Sequence, residues 1–239
     1  MTPLDPLFWT ALLKIIGVNI ILSGDNAVVI ALAARSLPAH QQKRAIIWGS
    51  GAAIIMRIVL TAFAVALLQF PYLKIVGAVL LVWIGIKLLV PDDGEEHIAS
   101  HENLGAAIKT ILIADLVMSV DNVIAVAAAA KDNVTLLILG LAISIPLIIF
   151  ASTLLLKLME RFPIIITVGA GLLGFVAGEM AITDPINKHW IEHNAAWMEY
   201  VVPVAGALLV VLVGTQIAKR KKNLNQHHQV AEQTSSASG

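Results

Sequence analysis

Seven stretches of this chain are each apolar over roughly the 20 residues that a helix needs to cross a bilayer. They cover 8–34, 45–69, 73–90, 104–130, 134–156, 164–182 and 200–218, and the first is interrupted by Lys14, Asn19, Ser23, Asp25 and Asn26. Proline and charge separate them at Leu37-Pro38, Phe70-Pro71, Pro91, Lys131-Asp132-Asn133, Phe162-Pro163 and Asp184-Pro185. The composition explains why no soluble alternative competes. Only 13% of the 239 residues are charged against 58% hydrophobic, where a soluble domain carries about a quarter charged. Soluble globular, disordered and coiled-coil classes are excluded, and the expected class is an all-α polytopic membrane protein with seven transmembrane helices.

Two further absences narrow the chemistry. With no cysteine, disulfides, thiolate metal sites and Cys nucleophiles are excluded. A net charge of zero argues against nucleic acid as a partner, since phosphate binding needs a basic surface. The first basic residue is Lys14, so the start lacks the positive region of a cleaved signal peptide.

Basic residues set the expected orientation. With the N-terminus outside, the inner segments hold Arg35, Lys43, Arg44, Lys109, Lys157, Arg161, Lys219, Arg220, Lys221 and Lys222, against Lys74, Lys131 and Lys188 outside. That bias requires an odd number of spans and a cytoplasmic C-terminus.

The chain also repeats itself. Asn19-Ile-Ile-Leu-Ser23-Gly24-Asp25-Asn26 aligns with Asp115-Leu-Val-Met-Ser119-Val120-Asp121-Asn122 at an offset of 96. Phe70-Pro71 and Val76-Gly77-Ala78 align with Phe162-Pro163 and Val168-Gly169-Ala170 at an offset of 92, which sets Lys87 over Glu179. Helices one to three therefore correspond to four to six. Because three is odd, the copies cross in opposite directions, the inverted 3+3 arrangement of many secondary transporters, here with an added C-terminal helix. The resulting division is a first repeat over 1–91, a cytoplasmic acidic loop over 92–103, an inverted second repeat over 104–183, a loop and seventh helix over 184–218, and a disordered cytoplasmic tail over 219–239.

Ionisable residues inside the apolar windows mark the candidate site, since each costs about 2.5–3.5 kcal/mol at a helix centre. Asp25 and Asp121 lie near their helix centres, with Asp115, Glu179, Lys87 and Arg57 in other spans. Lys87 and Arg57 either neutralise a carboxylate or line the path. On one helix Asn19, Ser23 and Asn26 share a face from which Asp25 is rotated away, so a backbone opened at Ser23-Gly24 would turn Asp25 inward. Val120 replaces Gly24 in the second copy, where a continuous helix is expected. Oxygen donors from Asp25 and Asp121, with Asp115 or Glu179, suit Mg, Ca or Mn, and all seven histidines fall in expected loops or the tail. Ser119 is a further polar neighbour of the path.

Ser23-Gly24-Asp25-Asn26, Ser119-Val120-Asp121-Asn122, the stretch from Val76 to Lys87 and Gly178-Glu179 resemble the TerC family of integral membrane proteins over about Phe8 to Ala218. The resemblance implies a seven-helix, multi-pass bacterial inner-membrane protein related to the lysine-exporter superfamily. It also implies Asp25, Asn26, Asp121 and Asn122 as metal-site residues for manganese export, with members named for tellurium resistance.

The leading expectation is therefore a transporter, not an enzyme: Mn²⁺ as cargo, no cofactor, and alternating access with H⁺ as a candidate coupling ion through Glu179 or Asp115. No P-loop is present, so ATP hydrolysis by this chain is excluded. Export of an amino acid or another small solute, and an intramembrane aspartyl protease with Asp25 and Asp121 as its dyad, are the alternatives. Oligomeric state is not encoded in these patterns.

Overall fold

The computed structural model describes residues 6–63, 70–90, 100–130 and 134–236, and among them every regular element is an α-helix. In chain order these are α1 (Pro6–Leu22), α2 (Gly24–Ala34), α3 (Ala39–Ala62), α4 (Leu73–Leu89), α5 (Ser100–Ala130), α6 (Val134–Arg161), α7 (Ile164–Ile182), α8 (Pro185–Asn194) and α9 (Met198–Ser236).

Among the described residues, three helical segments are long and apolar enough by themselves to cross a membrane: Ile138–Arg161, Ile164–Ile182 and Met198–Leu224. The expected first span falls short because it is two helices, α1 and α2, that part at Ser23. α3 begins with the polar run His40-Gln41-Gln42-Lys43-Arg44, and α4 has 17 residues.

Pairing follows the small residues. α7 and α9 approach most closely, because a Cβ on Gly174 would fall on the Gly206 carbonyl and one on Gly178 would lie 2.5 Å from Pro203 Cα. In lipid, where apolar surface alone does not drive helices together, such backbone approach supplies the van der Waals contact that does. α4 packs on α7 and α9, α3 on α5 and α6, and α1 and α2 on α6 and α5. The main core is apolar, with Ile15, Leu32, Ile46, Ile111 and Leu173 each at most 1% exposed. Outward, Trp48, Ile55, Val79, Phe150, Val168 and Leu212 stay exposed. Apolar surface of this extent suits acyl chains as the surrounding solvent.

Two polar ties fix the helix ends. Arg35 Nη2 donates to the Leu88 carbonyl at 2.8 Å, so α2 and α4 finish at the same end of the bundle. At the other end, fully buried Asp184 accepts from the backbone N–H of Tyr72 (3.1 Å), Lys74 (3.2 Å) and Ile75 (3.4 Å) at the start of α4. It also accepts from Ile186 N–H at 3.1 Å, capping α8. One carboxylate thereby satisfies orphan donors of two helices.

The structure departs from the sequence reading in three places. The segment after Asp184, expected as loop, contains α8, because Asp184 followed by Pro185 is an N-cap and first-turn pair as well as a break. The tail expected to be disordered continues α9 to Ser236, since Lys, Gln, Glu and Ala prolong a helix already started in the apolar span. Histidines expected in loops or tail (His40, His101, His189, His193, His227 and His228) lie on helices, near ends or in that extension. Most of the acidic loop, including His97, lies outside the described residues.

Candidate functional site at the helix break

The site begins with a backbone interruption. Ser23 has φ −113° and ψ 4°, outside helical values, and separates α1 from α2. The expected opening at Ser23-Gly24 is therefore present, and α5 runs unbroken through Ser119 to Asn122, as the Val120 substitution implies. A helix end leaves carbonyls, and a helix start leaves N–H groups, without partners inside the helix. Serine is a favoured N-cap, yet Ser23 makes no side-chain cap to α2. Its hydroxyl is engaged elsewhere.

That engagement is with Arg57, the largest fully buried side chain among the described residues, at 1% exposure. Arg57 Nη1 donates to Ser23 Oγ at 3.0 Å, Nε to Ser119 Oγ at 3.1 Å, and Nη2 to Asp115 Oδ1 at 2.8 Å. Ser119 Oγ in turn donates to Asp115 Oδ2 at 3.2 Å. Asp115 and Ser119 stand four residues apart on α5, so the helix repeat puts them one above the other. Arg57 thus neutralises a carboxylate, one of the two roles its sequence position allowed. It also joins the serines of both Ser-x-Asp-Asn copies through one planar fork.

Beside this cluster lies a narrow gap, without room for a water molecule, lined by Asn26, Val29, Ile30, Ile111, Asp115 and Met118. Asn26 is 2% exposed, and neither its Nδ2 nor its Oδ1 has a hydrogen-bond partner. A buried amide left in this state costs about 1–3 kcal/mol. An unpaired amide lining the same gap as a carboxylate has donors and acceptors to offer a polar group or cation if the helices part there. Asp25 is half-buried, and its Oδ1 accepts from Asn26 N–H at 2.8 Å at the start of α2.

The other candidates are placed differently. Asn19 and Asp121 lie on α1 and α5, with side chains outside the described set, and Asn122 is half-buried beside Asp121. Glu179 is exposed near the end of α7, and Lys87 is exposed on α4 with Nζ 5.4 Å from the Trp83 ring centroid. The repeat-related pair Lys87 and Glu179 therefore lies on the outer surface, not in the Arg57 cluster. Among the described residues, no three His, Cys, Asp or Glu side chains converge as a metal cluster. Sequence reasoning ranked Arg57 below the Asp-Asn pairs and passed over Asp184. The signal for Arg57 was its full charge amid the apolar run Ile54 to Ala62.

Known proteins similar in sequence are membrane proteins. The chain is 42% identical over 203 residues to the uncharacterized membrane protein YjbE of Bacillus subtilis, covering 84% of this chain and 92% of that one. It is 25% identical to YceF of the same organism, another uncharacterized membrane protein, over 98% of this chain and 89% of that one. With the inner membrane protein YoaE of Escherichia coli it shares 23% identity over 91% of its length and 44% of the relative's. No solved structure matches. Residues 4–223 match the family model described as Integral membrane protein TerC family, so the chain belongs to that family.

Proposed function

We propose that this protein exports a divalent cation, Mn²⁺, from the bacterial cytoplasm across the inner membrane by alternating access of two inverted three-helix repeats. The observation that carries the reading is the buried junction itself. Arg57 ties Ser23 of one copy to Ser119 and Asp115 of the other, and Asn26, whose amide is unsatisfied, lines the narrow gap beside them. Oxygen and amide donors around a carboxylate suit a hard divalent cation. Asp25 and Asp121 supply the further negative charge, with Asn122 as an amide donor.

The packing supports the inverted repeat. Exchange of the copies sends α1 and α2 to α5, α3 to α6, and α4 to α7. The α3–α5 contact then maps onto the contact of α1 and α2 with α6, and α4–α5 maps onto α2–α7; each member of these pairs is present. Gly77 of α4 backs onto Val117 of α5, and its repeat counterpart Gly169 backs onto Val28 of α2. The shared ends of α2 and α4 fit a seven-span path with the N-terminus outside and the C-terminus cytoplasmic.

The test is ⁵⁴Mn²⁺ efflux from loaded proteoliposomes. Asp25→Asn and Asp121→Asn should each reduce efflux to the level of protein-free vesicles while the protein remains membrane-inserted. Undiminished efflux in both variants overturns the site assignment.

A further inference from the structure

A carboxylate buried among transmembrane helices persists where an opposite charge compensates it. A carrier that binds a cation there must keep the carboxylate compensated before the cation arrives and after it leaves. Each oxygen of Asp115 accepts a hydrogen bond from the protein, Oδ1 from Arg57 Nη2 at 2.8 Å and Oδ2 from Ser119 Oγ at 3.2 Å. A cation that reached Asp115 through the gap beside Asn26 would share that carboxylate with the guanidinium, and two like charges so close repel strongly away from water. Ion and guanidinium therefore compete for the one carboxylate.

Building on the cation-export reading above, we propose that Arg57 is a tethered counter-cation. It takes over Asp115 when the transported ion leaves, and so lets the unloaded carrier reorient without an uncompensated buried charge. Three observations make Arg57 suited to this. A guanidinium is delocalised and weakly hydrated, so it tolerates burial better than an ammonium. It projects from α3, whereas its partners sit on α5 and at the α1–α2 break, so releasing Asp115 also loosens a tie between the two repeats. The Asn26 amide, unpaired and on a residue lining the same gap, offers the incoming ion a donor that Arg57 does not use. Arg57 is thus a positioning and charge-compensating residue, and occupancy of Asp115 couples ion release to movement of the copies.

The role separates two modes of transport. Net efflux needs the unloaded carrier to return, whereas exchange of Mn²⁺ for Mn²⁺ does not. In full-length protein reconstituted into liposomes, Arg57→Gln should lower net ⁵⁴Mn²⁺ efflux by about twentyfold or more and leave Mn²⁺–Mn²⁺ exchange within about threefold of wild type. Arg57→Lys keeps a positive charge beside Asp115 and leaves the proposed ion ligands in place. Its ratio of net efflux to exchange should stay near the wild-type value, and this comparison stands if Arg57→Gln does not fold. Equal loss of both modes in folded Arg57→Gln, unchanged net efflux, or an Arg57→Lys ratio far below wild type overturns the counter-cation role. Absence of Mn²⁺ flux in either mode from wild-type protein overturns the export reading itself, and this role with it.

Discussion

Ser23-Gly24-Asp25-Asn26 and Ser119-Val120-Asp121-Asn122 occupy corresponding places in two copies of one sequence pattern, yet the backbone breaks at the first and runs through the second. Within these four residues the copies differ only at Gly24 and Val120. Glycine is the poorest helix former after proline, so a helix that parts at Ser23, beside Gly24, forgoes little there. Val120 is a somewhat better helix former, and α5 is continuous through it. The consequence is a division of labour. The continuous copy sets Asp115 and Ser119 at helical spacing, a rigid platform that grips Arg57. The broken copy places a half-buried Asp25 and an unpaired Asn26 at the start of a short helix.

The largest effect bearing on this contrast is expected from Asn26→Leu. Removing an amide that lacks partners should hold or raise the melting temperature of the purified protein, because a penalty of about 1–3 kcal/mol disappears. The same variant should lower Mn²⁺ efflux by about tenfold or more. Loss of stability together with flux would place Asn26 among the groups that hold the fold and would erase the distinction between platform and ligand. A smaller effect is expected from exchanging the residues that separate the copies. A Cβ at Gly24 meets nothing within 4 Å, so Gly24→Val fits in space and acts through helix preference alone. It should cut efflux several-fold without loss of folded protein, whereas Val120→Gly should cost about 0.5 kcal/mol of helix preference and alter efflux less than about twofold. Equal responses at the two positions would show that the break is incidental.

Much of this was legible in the residues. Apolar windows gave the helical class, and the Gly24-to-Val120 difference foretold which copy opens. Those signals are local: propensity and spacing act within a few residues. The Arg57 cluster joins positions 23, 57, 115 and 119, brought together only when α3 packs against α5 beside the helix break. No periodicity encodes that meeting. Asp184 was hidden for a related reason. Asp-Pro reads as a local break, but its carboxylate spends three of its hydrogen bonds on the start of α4, more than a hundred residues earlier. Lys87 and Glu179 show the converse, since charge inside an apolar window suggested the interior and both side chains lie exposed. A long lysine stem can lie along apolar surface with its charge at the edge, as Lys87 does over Trp83.

The most direct measurement of cation export is the metal content of cells with and without expression of this chain, under separate Mn, Ca, Mg, Zn and Fe loads. The expected result is a several-fold fall in cellular manganese under manganese load, with the other four metals unchanged. Manganese content that does not respond to expression, at confirmed levels of membrane-inserted protein, would contradict the proposed export.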